Sequence, residues 1–178
     1  MPAAMVTLPL SLEALDATGV DTLCLFVVSD ERPLGGAAGY ADWRLCGQLS
    51  RLLVDGFLEG SRGESLLLPS SGRIGAPRVV VLGLGPGGEA LHPGVLRSAL
   101  SQAADVLNRV RVDSVALELP GRSALPQQER TSAFDEAFVP AFRGMRGGTP
   151  RRALHSVLPV RASRGRATRW PRCPPGHG

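Results

Sequence analysis

Lysine is missing from this chain of 178 residues; all 20 basic side chains are arginines. Together with abundant Ala, Gly and Pro, that bias points to a GC-rich coding sequence. Aromatic residues make up only 4% of the chain against 43% hydrophobic, so the core must be built from Leu, Val and Ala. Cysteine is scarce and odd in number (Cys24, Cys46 and Cys173), and no C-x-x-C pair exists, which removes the usual zinc and dithiol frameworks. Cys24 falls in an apolar run and Cys46 in a helical pattern, where each reads as a small buried hydrophobe. The roughly 18 consecutive apolar residues of a membrane helix occur nowhere. The N-terminus has no basic region, and Glu13 and Asp16 interrupt its apolar stretch, so no signal peptide is expected. Cytoplasmic placement with no membrane partner follows as the expectation.

Acidic residues are missing from the last quarter. Residues 1–136 hold all 16 Asp and Glu against 11 Arg, a net of −5, while residues 137–178 hold nine Arg and no acid. The overall +4 therefore describes an acidic body with a basic tail, not a basic protein. After Phe142 periodicity fades and Arg, Pro and Gly dominate. Such a stretch is unlike a packed core, and it is also what a shifted frame yields in GC-rich DNA.

The body is long enough for one domain. "MVTLPL" (5–10) predicts a short edge strand with Pro9 near its end. "DTLCLFVV" (21–28) is continuously apolar, as in a strand covered on both faces. Trp43, Cys46, Leu49 and Leu53 predict one helix from Tyr40 to Val54, stopped by Gly56. "ESLLLP" (64–69) and the β-branched "RVVVLGLG" (78–85) predict two further strands. Pro93 opens a helix to about Val110 with Leu96, Leu100, Ala103, Leu107 and Val110 on one face. "SVALELP" (114–120) predicts a strand and residues 126–138 a helix with Phe134 and Phe138 one turn apart. "ALHSVLPV" (153–160) has the look of one more strand. Strands alternating with helices predict an α/β domain with a parallel or mixed sheet.

One stretch invites chemistry. In "VVVLGLGPGGEAL" (79–91), Gly83, Gly85 and Gly88 match the G-x-G-x-x-G spacing that cradles a pyrophosphate. Pro86 removes one N–H from that loop. The next helix begins only at Pro93, and the next acid near a strand end, Glu118, comes 30 residues after Gly88. The other reading is that these glycines simply turn the chain after a buried strand. His92, His155 and His177 are scattered, and Cys173 with His177 is half a metal site with no second pair. Ser70 and Ser71 read as turn serines. Asp135 and Glu136 are adjacent on a helix and point about 100° apart, as on a solvated face. No metal ligands and no cofactor are expected.

The order of features resembles a known family. A strand "DTLCLFVV", a helix, the turn "GFLEGSRGE" with Gly56, Phe57, Gly60, Gly63 and Glu64, and a strand ending Gly-Leu-Gly are similar to the N-terminal domain of the two-zinc leucyl aminopeptidases, over roughly residues 5–142. The resemblance implies a single three-layer, macro-domain-like α/β domain with a mixed sheet over 1–142; the composition adds a basic, poorly ordered tail over 143–178. The resemblance also implies no catalysis. In that family the metals and the catalytic Lys and Arg belong to a separate C-terminal domain, whose Asn-Thr-Asp-Ala-Glu-Gly-Arg stretch occurs nowhere here.

The expected role is protein–protein contact, either with itself or with a full-length relative. Two alternatives stand beside it: a nucleotide or ADP-ribose binding module using Gly83, Gly85 and Gly88, since macro-type folds in other families bind ADP-ribose, and nucleic-acid binding through the Arg-rich tail.

Overall fold

The computed structural model describes residues 4–7, 9–87, 92–143 and 151–155, the first and last of these segments as backbone only. Six strands form one sheet: β1 (Ala4–Thr7), β2 (Thr22–Val27), β3 (Ser65–Pro69), β4 (Arg78–Gly83), β5 (Val115–Leu117) and β6 (Arg151–His155). Their spatial order is β1-β6-β5-β2-β4-β3. All neighbours run parallel except β3, which lies antiparallel to β4 at one edge. The sheet is therefore mixed, as expected.

Helices cover both faces. α1 (Leu12–Asp16), α2 (Gly36–Arg44) and α3 (Gln48–Val54) lie on one side; α4 (Pro93–Arg109) and α5 (Gln127–Ala133), which runs on into a π-helical turn at Phe134–Phe138, lie on the other. β4 shows why the sandwich forms. Alternate side chains of a strand point to opposite faces, so Val79 and Val81 enter the core beneath α1, α2 and α3 while Val80 and Leu82 enter the core beneath α4 and α5. All four are buried. In the second core Phe134, Phe138 and Phe142 stack with centroids 4.9 and 5.3 Å apart. The π turn closes through Val139 N–H donating to Phe134 O at 3.1 Å.

Three expectations need correction. The single helix over 40–54 is two helices, and it begins earlier, at Gly36. The break falls at Cys46 and Gly47, both left-handed with φ of 55° and 76°. Cys46 is therefore in a link, half-buried, and not on a helix. The Gly47 cap has no side chain, and the buried Asp42 of the preceding helix replaces it: its carboxylate accepts from Ser50 N–H at 3.1 Å and Ser50 Oγ at 2.5 Å. The first strand ends at Thr7, before Pro9. The short helix α1, capped by Ser11 accepting from Ala14 N–H at 3.1 Å, had no periodic signal.

Elsewhere the elements stand close to their predicted places. α4 begins at Pro93, where the absent N–H costs nothing. β6 begins two residues before "ALHSVLPV" and ends at His155; it takes one strand of the sheet from beyond residue 142, between β1 and β5. Residues 144–150 and 156–178 of the basic segment lie outside the described residues. At the N-terminal ends of the parallel strands, Asp21 binds the Arg78 guanidinium and accepts Asp113 N–H at 3.0 Å, while Arg78 also donates to Val110 O at 3.0 Å.

Candidate functional site

The opposite, C-terminal ends of β2, β4 and β5 border a cleft of about 550 Å³. Open parallel sheets place ligands at this edge, in the crevice between diverging connections. Three loops enclose it: residues 28–36 between β2 and α2, residues 84–87 after β4, and residues 118–123 after β5. Among the described residues its charged lining is mostly acidic, with Asp30, Glu31 and Glu118 against Arg122.

The glycine loop stands at this cleft, but its donors are used within the chain. Gly83 N–H donates to Glu64 O, Leu84 N–H to Val27 O and Gly85 N–H to Gly60 O, each at 2.9 Å. Gly87 N–H donates to Asp30 Oδ1 at 2.7 Å, and Pro86 has none to give. Gly88 lies outside the described residues. Gly83 is a packing glycine: a β-carbon there would stand 2.0 Å from Ser61 O. Gly85 has the left-handed φ of 81° and passes its carbonyl to Ser29 N–H at 3.0 Å. Residues 83–85 thus knit together the loop after β2 and the turn at 59–64.

That turn has its own lock. The Glu64 carboxylate accepts from the backbone N–H groups of Glu59, Gly60 and Ser61 at 3.1, 2.7 and 3.1 Å. In "GFLEGSRGE" the final Glu therefore closes the turn on itself, and Gly60 brings the turn's backbone against Val28 and Ser29.

Two further groups take roles that the sequence did not reveal. Glu118, one residue past β5, reaches the start of α2 and accepts Ala37 N–H at 2.5 Å. Arg130, only 7% exposed, lies behind the cleft wall and donates to Leu119 O at 3.1 Å; its Nε has no partner. Burial pushes its pKa down, with the nearby Glu118 opposing that shift.

The remaining candidates resolve into structure. His92 caps α4, its Nδ1 accepting Gly94 N–H at 3.2 Å. The side chain of His155 and the residues Cys173 and His177 fall outside what is described. Ser70 is buried in the turn between β3 and β4, and its backbone bonds Pro77 and Arg73. Asp135 and Glu136 are exposed, and Glu136 accepts from Arg97 Nε at 3.0 Å. Cys24 is buried, and desolvation raises its thiol to about 12, far from a reactive thiolate.

Comparison with known proteins agrees with this architecture. The profile of the cytosol aminopeptidase family, N-terminal domain, matches residues 24–140. A probable cytosol aminopeptidase of Burkholderia orbicola is 32% identical over 115 residues, 65% of this chain and 22% of the relative, and one from Burkholderia multivorans gives the same figures. The chain thus spans about a fifth of the length of the curated relatives it matches. Among solved structures, a tomato leucine aminopeptidase mutant superposes with TM-score 0.59 at 17% identity, over 88% of this chain and 33% of that one. The macrodomain of Mycobacterium tuberculosis DarG superposes with TM-score 0.65 at 12% identity, over 88% and 99%. A Trypanosoma brucei macrodomain in complex with ADP gives 0.59 at 14%, over 86% and 73%. These likenesses establish a macrodomain-like fold.

Proposed function

The chain belongs to the cytosol aminopeptidase family through that family's N-terminal domain, and from this membership we propose that it is a non-catalytic domain, acting in the cytoplasm through contact with a second copy of itself or with a full-length relative. The observation that carries this reading is the family match itself, which is to the N-terminal domain over residues 24–140. The surface supports it. Phe57 of the family-like turn is 67% exposed and Val54, at the end of α3, is 83% exposed. An exposed aromatic is a residue type in which protein interfaces are enriched. No described group is arranged to hold a metal, since clusters of three or more His, Cys, Asp or Glu are lacking among the described residues. Among those residues, also, no helix is long and apolar enough to cross a membrane.

The test has two arms. Sedimentation of the purified chain, alone and with a full-length cytosol aminopeptidase, should show association that Phe57→Ser weakens without lowering the melting temperature. Leucine amides should not be hydrolysed with or without added zinc or manganese. A monomer with no affinity for the relative would overturn the contact reading. A metal-dependent turnover lost on chelation would overturn the non-catalytic one, since hydrolysis of that kind needs metal-held water.

A second reading is favoured by the cleft itself: a macrodomain-like fold with about 550 Å³ of space at the strand ends has the size of a small-molecule site, and the nucleotide class is suggested by the ADP in a structural neighbour. Against it stand the spent N–H groups of residues 83–87 and the acidic lining. Titration with ADP decides between them.

A further inference from the structure

The cleft already contains anions of its own, and they stand where a phosphate would bind. Helix N-termini attract anions because their first N–H groups lack helical partners and the helix dipole is positive there. α2 is nine residues long and its N-cap, Gly35, offers no capping side chain. Glu118 supplies that anion from a strand 81 positions away, accepting Ala37 N–H at 2.5 Å. The chain is shaped to admit it. At Gly36, with φ of 55°, a β-carbon would lie 2.2 Å from Glu118 Oε2. The second place for a phosphate, the glycine loop, is filled in the same way by Asp30, whose Oδ1 accepts Gly87 N–H at 2.7 Å.

A buried cation lies behind this wall. Arg130 is a buried guanidinium with an unpartnered Nε. It is tied to Leu119 O, and its Cδ would lie 3.8 Å from a β-carbon at Gly121; both residues line the cleft. A buried cation with an unspent donor favours negative charge nearby, and Glu118 is the carboxylate whose field it feels.

We propose that Glu118 and Asp30 are intramolecular plugs: their carboxylates occupy the two anion positions of the cleft and keep polyphosphate ligands out of a fold whose geometry could otherwise admit them. Glu118 is the stronger plug, because it combines the helix terminus with the nearby Arg130. The plug excludes ligand by charge and by occupancy together. A phosphate would have to displace Glu118 from Ala37 N–H while standing beside its displaced charge and that of Asp30 and Glu31. The proposal goes beyond the contact reading and does not depend on it, since it uses no protein partner.

The experiment is calorimetry of the full chain with ADP and with pyrophosphate, for the parent, Glu118→Ala and the isosteric pair Asp30→Asn with Glu118→Gln. Thermal melting is run on each protein. The parent should show no saturable binding. Glu118→Ala should bind ADP at least about tenfold more tightly than the parent, and the isosteric pair should fall between them, because its amides can still accept the same N–H groups but carry no charge. Micromolar binding by the parent that Glu118→Ala weakens would make Glu118 a ligand contact and overturn the plug. Folded variants that bind no better than the parent would overturn it too. A measurement on the unaltered chain covers variants that fail to fold: the Ala37 amide resonance, whose N–H donates to Glu118, should stay fixed when ADP is added. An ADP-induced shift of that resonance would overturn the proposal.

Discussion

At Gly83 there is room for a hydrogen atom and nothing larger, because the carbonyl of Ser61 and the backbone of Gly60 press against that side of β4. Gly83→Ala should therefore cost about 1–3 kcal/mol, the range of an overpacked core, read as a lowered urea midpoint with an unchanged slope. Loss of stability no greater than about 0.5 kcal/mol, the scatter of a neutral surface change, would mean that the 59–64 turn simply moves away. The glycines of this stretch were legible as special from their spacing, but two meanings fitted that spacing equally well. The partner of each N–H from Gly83 to Gly87 favours the structural meaning, and those partners come from residues 27, 60, 64 and 30, none of them near in sequence. Cys24 is the opposite case. Its burial was legible from the apolar run, and its thiol, raised to about 12 from an ordinary 9.0, follows from desolvation. The unfolded chain ionises this thiol at the lower pH, so the folded state holds the neutral form to a higher one. Stability linked to Cys24 is fully present below about pH 9 and is lost as pH rises toward 12. Cys24→Ala should flatten this alkaline limb of the melting curve, and in the parent the thiol should resist labelling until the protein unfolds. Rapid labelling of Cys24 under native conditions would contradict its burial.

Among the elements, legibility followed length and chemical plainness. "RVVVLGLG" and the helix from Pro93 were plain because a β-branched run and a repeated 3–4 spacing need no tertiary help. α1 was not, since five residues hold too few periods to show a face. The start of α2 was hidden by its Gly-Ala-Ala-Gly composition, which has weak helix propensity on two of four positions. The division of α2 from α3 was hidden for a different reason: apolar residues continue across it at helical spacing, and only the left-handed Cys46 and Gly47 interrupt the backbone. Asp42 holds this junction, reaching from one helix to cap the next. Asp42→Ala should cost about 1–2 kcal/mol, as a helix loses its cap, and should expose the 45–50 link to faster hydrogen exchange. Asp42→Asn, which retains an acceptor for Ser50 N–H, should recover most of that loss. Equal destabilisation by both would show that the carboxylate's charge, not its hydrogen bond, matters there. Glu118 was legible only as an acid near a strand end, and its contact with α2 was not, because that partner is fixed only when β5 lies beside β2 and carries residue 118 across to the start of α2.

For the whole molecule, two features beyond residue 142 act in opposite ways. β6 joins β1 to β5, and in the sheet order β1 has no other neighbour. The same region carries nine arginines and no acid from residue 137 onward. We therefore propose separating them with two truncations. A fragment of residues 1–142 loses β6, so β1 should leave the sheet and the melting temperature should fall, while the cores beneath and above β2 and β4 keep the rest folded. A fragment of residues 1–156 keeps β6 but loses five arginines and no acid, which takes the net charge from +4 to −1. It should melt with the whole chain. If the arginines serve nucleic acid, the whole chain should bind duplex DNA without sequence preference, with a log–log salt slope no steeper than about −4.5 from those five contacts, and the 1–156 fragment should not bind measurably. Fluorescence anisotropy across a salt series distinguishes the outcomes. Binding by the shorter fragment as tight as by the whole chain would show that the last five arginines are not the binding element and would move the contact onto residues 1–156, which keep Arg143, Arg146, Arg151 and Arg152. A 1–142 fragment as stable as the whole would show that β6 adds nothing to the sheet it completes.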